Sequence, residues 1–197
     1  MSHPLPDVGF DGALMTVEAF LDWSSRHGDE AGDGTGHELV AGRVIAMAPE
    51  RNRHIKVKQE AWLALRRSRD EQGLPCDVLI DGATVPIDER TAYRPDVAVQ
   101  CGEPVEDDSL LVPTPVILVE VLSPSTSGVD LGEKLMGYFS LPSVRHYLVI
   151  DPVRRRLAHH RRGDDGTIVT AILGEGRLRL DPPGLEIDVA EVFQGLR

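Results

Sequence analysis

The 197-residue chain contains few aromatic residues, only two cysteines and no long apolar run. A membrane helix needs about 18 or more consecutive apolar residues, and the lack of such a stretch argues against a membrane-spanning protein. The N-terminus lacks the basic start and apolar centre of a secretory signal, so we expect a cytoplasmic protein. Cys76 and Cys101 have no CxxC spacing, and we interpret them as free thiols in a reducing compartment.

An excess of positive charge is also missing, because the formal net charge is −11. This value argues against a protein that coats nucleic acid through bulk electrostatics. It leaves open an enzyme that docks a phosphate backbone through a local basic patch. Basic clusters occur at 51–58, 66–69 and 154–162. Solvated helix faces and strand edges are an alternative explanation for such clusters.

The length and the 41% of hydrophobic residues are typical of one globular domain. We expect a loose tail over residues 1–15 and a single domain over 16–197. Thr16 is a plausible N-cap for a short helix. Gly42 marks the turn of a predicted β-hairpin, and a long helical pattern ends near Gly73.

The second half of the chain alternates between strand and helix patterns. An apolar strand over 116–122 precedes a helix over about 129–141, and a further strand covers 146–150. A strand–helix–strand unit of this kind implies a parallel crossover. The predicted fold class is therefore mixed α/β.

Glu120 lies inside the apolar run 116–122, which otherwise has the pattern of a buried strand. Burying an isolated carboxylate costs several kcal/mol of hydration free energy. A second acid, Asp96, precedes another apolar run, Val97–Val99. If the two strands are neighbours, both carboxylates meet at one sheet edge and make a candidate site for Mg²⁺ or Mn²⁺. A buried arginine partner for Glu120 is the alternative.

A metal held by two acids can polarise a phosphoryl oxygen and generate hydroxide near neutral pH. Hydrolysis of a phosphate ester also needs a cation near the developing negative charge. Lys134, in the helix after the Glu120 strand, is the candidate for that cation. Asp130, Lys134 and Tyr138 are spaced i, i+4, i+8, so they lie near one helical face. An ordinary ion pair between Asp130 and Lys134 is the alternative.

Three segments in this order resemble the Uma family of restriction-endonuclease-like proteins, which belongs to the PD-(D/E)XK nuclease superfamily. They are RPD at 94–96, VEVLSPST at 119–126 and DLGEKLMGY at 130–138. Segments 37–42, 47–49 and 141–151 are similar to the same family. The resemblance extends from about Thr16 to Arg162, most of the chain.

The resemblance implies a central mixed β-sheet flanked by helices, with Mg²⁺ or Mn²⁺ as the cofactor. It implies that Asp96, Glu120 and the backbone carbonyl of Val121 bind the metal. Glu38 matches the upstream acid of the family and is implied as a metal ligand, directly or through water. The sequence departs from the superfamily signature at Leu122, where the catalytic lysine of E-x-K would stand.

In the resembling family the catalytic lysine has moved to the following helix, which implies a catalytic role for Lys134. We assign Arg53, His54 and Tyr138 to substrate binding. His54 follows a Met-Ala-Pro segment and opens the long helix, where a surface or helix-capping role is the alternative.

Two functions from different classes follow. The first is a metal-dependent endonuclease that acts on DNA as a homodimer, with the basic segments 51–58 and 154–162 seating the phosphate backbone. The second is a binding or assembly module that keeps the nuclease fold without efficient turnover. The net charge of −11 and Leu122 favour the second function.

Overall fold

The computed structural model describes residues 14–27, 36–123 and 128–197, with the backbone alone for His27 and for 128–130. The predicted tail therefore lies outside the described residues except for its last two positions. Met15 is buried, and its amide donates a hydrogen bond to the Gly42 carbonyl at 2.8 Å. Among the described residues, no helix combines the length and the apolar character needed to cross a bilayer.

The described residues form three α-helices: α1 (Val17–His27), α2 (Asn52–Gln72) and α3 (Gly128–Ser140). Thr16 caps α1 as predicted, because its Oγ1 accepts a hydrogen bond from the Ala19 amide at 3.2 Å. Helix α2 ends where the sequence indicated. Gly73 has φ 62°, a left-handed conformation that glycine adopts without a steric penalty.

The strands of the first half of the chain are β1 (His37–Val40), β2 (Arg43–Ala46), β3 (Cys76–Ile80), β4 (Val85–Asp88), β5 (Thr91–Tyr93) and β6 (Val97–Cys101). Those of the second half are β7 (Pro115–Val121), β8 (His146–Asp151), β9 (Arg156–Arg162), β10 (Ile168–Leu173), β11 (Arg177–Leu180) and β12 (Leu185–Asp188). A 3₁₀ turn, Glu191–Phe193, follows β12. The sequence patterns did not predict β5 or β12.

The central sheet has six strands in the order β10-β9-β8-β7-β6-β3. Strands β7 and β8 are parallel and are joined through α3, so the predicted crossover is confirmed. The other pairs in this sheet are antiparallel. A second sheet has the order β2-β1-β5-β4, and β11 pairs with β12. The fold is mixed α/β, as predicted.

Two hydrophobic clusters cover the two faces of the central sheet. Helix α2 and the β11–β12 hairpin contribute to the first cluster, which also contains Val119 and Val121 of β7. The second cluster contains Leu118 of β7 together with Tyr138 of α3. Because successive side chains of a strand point to opposite faces, Glu120 lies on the same face as Leu118. The alternation of β7 therefore turns Glu120 towards α3.

Cys76 and Cys101 form a disulfide bond. The prediction of two free thiols is therefore wrong. The two cysteines are directly opposite each other in the β3–β6 ladder. The two cysteines are 25 residues apart, and this spacing does not predict a bond between them. The bond depends on the register of β3 and β6, two strands that are joined through β4 and β5.

Candidate active site

The antiparallel pairing of β6 with β7 places Asp96 beside Glu120. Val97 pairs with Val119, so Asp96 precedes the start of β6 at the edge where β7 ends. Asp96 is buried, and its Oδ2 accepts a hydrogen bond from the Val121 amide at 2.6 Å. This contact ties the first acid to the strand that carries the second acid.

Helix α3 supplies two partners for the Glu120 carboxylate. Lys134 Nζ donates to Glu120 Oε1 at 3.0 Å, and the Tyr138 hydroxyl donates to the same oxygen at 2.8 Å. Both residues are buried and are one helical turn apart, as the i, i+4 spacing predicted. The side chain of Asp130, the third member of that pattern, lies outside the described side chains. The alternative, an ion pair between Asp130 and Lys134, involves that side chain and lies outside the described side chains as well.

Glu38 reaches the same lysine from the second sheet. Lys134 Nζ donates to Glu38 Oε1 at 2.9 Å, and the Arg94 amide donates to that oxygen at 2.8 Å. The ammonium of Lys134 also lies 5.6 Å from the centre of the Tyr93 ring, within the range of a cation–π contact. One lysine from α3 therefore joins carboxylates from β1 and β7.

The position of Lys134 depends on how closely α3 approaches its neighbours. A Cβ placed on Gly137 would lie 2.8 Å from Cε2 of Tyr93, so only glycine allows this approach without a shift. The apolar side chains of α3 pack against the cluster on the same side of the sheet: Leu131, Leu135 and Phe139. Gly137 and these contacts hold Lys134 between the two carboxylates.

The charges of this cluster shift the protonation of its members. Burial raises the pKa of Glu120 from 4.5 to about 7, opposed by Lys134 and assisted by the nearby charges of Asp96 and Glu38. Burial alone would lower the pKa of Lys134, but Glu120 and Glu38 raise it well above its ordinary value. Burial and Glu120 together raise the pKa of the Tyr138 hydroxyl. Near neutral pH, Lys134 is charged and Glu120 is close to its titration midpoint.

A second group of side chains contacts Asp96 from α2. His54 Nε2 lies 2.8 Å from Asp96 Oδ1 and 3.7 Å from Glu50 Oε1. Burial would lower the pKa of His54, but its hydrogen bond to Asp96 and the charges of Asp96 and Glu50 raise it. His54 Nδ1 is buried without a hydrogen-bond partner among the described residues, so Nε2 is the nitrogen that engages the acids.

Lys58 is the centre of the same group, one helical turn after His54. Its Nζ lies 2.6 Å from both carboxylate oxygens of Glu50, 2.6 Å from Asp81 Oδ1 and 3.9 Å from Asp96 Oδ1. Lys58 was predicted as part of the basic cluster 51–58, and neither Glu50 nor Asp81 was predicted as a site residue. The signal was present, because Glu50, His54 and Lys58 have the i, i+4, i+8 spacing that was recognised in α3.

Glu50, His54 and Asp96 also form a potential metal-ligand group, since their nearest donor atoms all lie within 4.8 Å of one another. The ligands expected from the resemblance were Asp96, Glu120, Val121 and Glu38. The two sets have Asp96 in common. The structure thus joins two groups of acids through Asp96, one with Lys134 and one with Lys58.

The basic segments differ in how close they lie to these acids. Arg53 is exposed in the first turn of α2, beside buried His54. Arg154 and Arg155 lie in the turn after β8, at the sheet edge where β7 ends. Arg162 is at the opposite end of β9, where it donates to the carbonyls of Phe139, Leu141 and Val144. It therefore has a structural role in these contacts.

The mixed sheet with helices on both faces, and with acids at the meeting ends of β6 and β7, defines a restriction-endonuclease-like fold. A crystal structure described as a putative nuclease belonging to DUF820, from Anabaena variabilis ATCC 29413, matches with a TM-score of 0.66. The match covers 82% of this chain and 92% of that chain at 16% sequence identity, and it concerns the fold.

The family model Uma2, described as "Putative restriction endonuclease", matches residues 17–191. The chain belongs to this family. Protein slr1290 of Synechocystis sp. (strain ATCC 27184 / PCC 6803 / Kazusa) is 26% identical over 184 residues, 92% of this chain and 93% of the relative. Protein sll1609 of the same strain is 34% identical over 86 residues, 42% of this chain and 49% of the relative.

Proposed function

We propose that this protein is a divalent-metal-dependent endonuclease that hydrolyses phosphodiester bonds of DNA, with Mg²⁺ or Mn²⁺ as the cofactor. One observation carries the proposal. The ammonium of Lys134 lies within 3.0 Å of carboxylate oxygens of Glu38 and Glu120, while Asp96 lies beside Glu120, directly before the neighbouring strand β6. Metal-assisted hydrolysis of a phosphate ester requires such a group, in which acids from separate segments meet a lysine.

The donor set suits a hard cation. Asp96, Glu120 and Glu38 offer carboxylate oxygens, and Val121 can add its backbone carbonyl. Burial, assisted by the charges of Asp96 and Glu38, raises the pKa of Glu120 to about 7, and a divalent cation bound there would favour the ionised carboxylate. When bound, such a metal polarises a phosphoryl oxygen and lowers the pKa of a coordinated water.

The roles of the protein's own residues follow from their contacts. Lys134 carries a fixed positive charge that stabilises negative charge developing on the phosphate, which compensates for Leu122 at the usual lysine position. Tyr138 donates to Glu120 Oε1 and fixes that carboxylate. The Val121 amide fixes Asp96 in the same way. Arg53 is exposed at the start of α2, and we assign it to contact with the phosphate backbone.

Cleavage of supercoiled plasmid and of single-stranded DNA with Mg²⁺ or Mn²⁺ tests this proposal. Asp96→Asn, Glu120→Gln and Lys134→Met should each lower the rate by about 10²-fold or more. Glu133→Gln, at an exposed position of the same helix, is the matched control and should keep the wild-type rate. Equal rates in the wild type and all three site variants would refute the assignment.

DNA binding without cleavage in any metal would favour the second candidate, a catalytically inactive nucleic-acid-binding or assembly module. Leu122 is the observation that favours this candidate, because the lysine of the E-x-K signature is missing from β7 and its immediate continuation. A gel-shift assay with the same DNA, in the presence and absence of Mg²⁺, separates the two functions.

We also propose that the protein is a homodimer formed through the edge strand β10. This strand ends the central sheet and has the sequence IVTAIL, with Val169 48% and Ile172 73% exposed. An uncharged, apolar edge strand is a template for pairing with another strand. Light scattering should give a dimer mass for the wild type and a monomer mass for Ile172→Lys. Val153→Lys, at a position 67% exposed outside β10, should remain dimeric; a monomeric wild type would contradict this proposal.

A further inference from the structure

The carboxylate of Asp96 faces two groups of side chains, and only one of them is used by the proposed function. Its Oδ2 accepts from the Val121 amide, whereas its Oδ1 lies 2.8 Å from His54 Nε2 on the α2 side. Glu50 lies four residues before His54, just ahead of α2, with Oε1 at 3.7 Å from the same nitrogen. The α2 side of Asp96 therefore presents two carboxylates and an imidazole to one point.

The spacing of these three donor atoms matches that of ligands around a metal ion. Metal–ligand bonds of about 2.1 Å place two ligands about 3.0 Å apart at a right angle and about 3.4 Å apart in a tetrahedron. The distances from His54 Nε2, 2.8 Å to Asp96 and 3.7 Å to Glu50, bracket these values. All three donors lie within 4.8 Å of one another.

The surroundings leave negative charge uncompensated and give a route to solvent. Glu50, Asp81 and Asp96 bring three carboxylates against the ammonium of Lys58, and the charge of Arg94 also acts on Asp81, which leaves a formal charge of −1 when His54 is neutral. Lys58 contacts both oxygens of Glu50 at 2.6 Å and so holds that side chain beside His54. The side chains of Asp96 and His54 are 5% and 10% exposed, whereas that of Glu50 is 28% exposed, which opens this side to solvent.

We propose that Glu50, His54 and Asp96 form a second metal-binding position, suited to Mn²⁺ or another cation that accepts an imidazole nitrogen. The inference rests on the proposed function only through the shared ligand Asp96. Imidazole favours transition metals, whereas carboxylate, carbonyl and water favour Mg²⁺. The position on the α3 side, with oxygen donors alone, accepts either Mg²⁺ or Mn²⁺. The position on the α2 side selects Mn²⁺ over Mg²⁺.

Electron paramagnetic resonance of the full chain loaded with Mn²⁺ alone tests the site, because an imidazole ligand couples the ¹⁴N nucleus to the electron spin. The wild type should show this coupling. His54→Gln should remove it and weaken the binding of one Mn²⁺ by roughly tenfold or more. Glu50→Gln should weaken the same binding event while keeping the ¹⁴N coupling at saturating Mn²⁺.

The controls separate this site from the proposed active site. His160→Gln changes a histidine whose Nδ1 bonds to Thr170 on the outer strands of the sheet, and it should keep the coupling. Glu120→Gln should also keep it, because Glu120 is not among the three ligands. A wild type without ¹⁴N coupling, or a His54→Gln variant that retains it, would overturn the inference. Coupling in a protein that never cleaves DNA would support this site while refuting the proposed function.

If His54→Gln fails to fold, Glu50→Gln carries the test, since Glu50 is the most exposed of the three ligands. Unchanged Mn²⁺ affinity in Glu50→Gln would then count against the site. Competition gives a further readout: excess Mg²⁺ should displace Mn²⁺ from the position without nitrogen and leave the ¹⁴N-coupled signal. Loss of the coupled signal at the same Mg²⁺ concentration would contradict the proposed metal preference.

Discussion

Glu120→Gln should flatten the dependence of stability on pH and should stabilise the metal-free protein at alkaline pH. The pKa of Glu120 is raised to about 7 in the folded protein, against 4.5 as its ordinary value. The folded state therefore binds the proton more tightly than the unfolded state. The corresponding stabilisation is fully present below pH 4.5 and is lost as the pH rises through 7.

The size of this stability change follows from the difference between the two pKa values of Glu120. Between pH 4.5 and about 7, a slope of about 1.4 kcal/mol per pH unit amounts to about 3 kcal/mol of lost stability. A glutamine does not titrate and keeps hydrogen-bonding capacity towards Lys134 and Tyr138. Relative to the wild type, Glu120→Gln should therefore gain up to about 3 kcal/mol between pH 5 and pH 8.

Urea unfolding followed by far-UV circular dichroism, in EDTA at pH 5 and pH 8, measures this difference. Glu133→Gln, exposed on the same helix, should follow the wild-type curve at both pH values. If the difference in the free energy of unfolding between Glu120→Gln and the wild type is the same at pH 5 and pH 8, the pKa of Glu120 is not raised in the folded protein. Added Mg²⁺ should stabilise the wild type at pH 8 more than it stabilises Glu120→Gln, because a ligand stabilises only the state that binds it.

Two further predictions concern the site, and a third concerns a pair of histidines elsewhere on the central sheet. Lys134→Met should destabilise the metal-free protein at pH 8 by about 3–5 kcal/mol in urea unfolding, because it leaves buried carboxylates unpaired; a loss below about 1 kcal/mol would contradict a buried ion pair. Gly137→Ala should lower the cleavage rate strongly and the free energy of unfolding only slightly, since its methyl group would meet Tyr93 at 2.8 Å and displace α3; an unchanged cleavage rate would refute this. His146 and His159 form a buried pair, their nearest ring nitrogens 2.9 Å apart, and burial lowers the pKa of each to about 4. Both should stay neutral at pH 5.5 by NMR titration, and stability should fall as the pH drops from about 6.5 to about 4, by about 1.4 kcal/mol per pH unit for each histidine; titration near pH 6.5 would exclude this.

The sequence was informative where a local pattern determines the structure. A charged residue within an apolar strand identified Glu120, and the i, i+4 spacing identified the face of α3 that carries Lys134 and Tyr138. The parallel crossover followed from the order of elements. In each case the interaction depends on residues that are near in sequence or on a rule that fixes the topology.

The features that were missed depend on contacts between distant segments. Strand β5 is three residues long and is stabilised by pairing with β1 and β4. The disulfide requires the register of β3 against β6. The contact of Lys58 with Asp81 joins α2 to the turn after β3. A pattern within a short stretch of sequence does not show which distant segments contact each other.

The chain has three tyrosines, and their rings form one cluster: Tyr93, Tyr138 and Tyr147. The rings of Tyr93 and Tyr138 are 5.4 Å apart, and those of Tyr138 and Tyr147 are 5.1 Å apart. Tyr93 contacts the Lys134 ammonium and Tyr138 donates to Glu120, while Tyr147 packs on Tyr138. The tyrosine signal in an ultraviolet or Raman spectrum of this protein therefore comes from rings that contact these charges or lie one ring away from them. The unlabelled chain carries its own optical reporter of ionisation and metal loading, and fluorotyrosine would convert the same three rings into resonances from a single location.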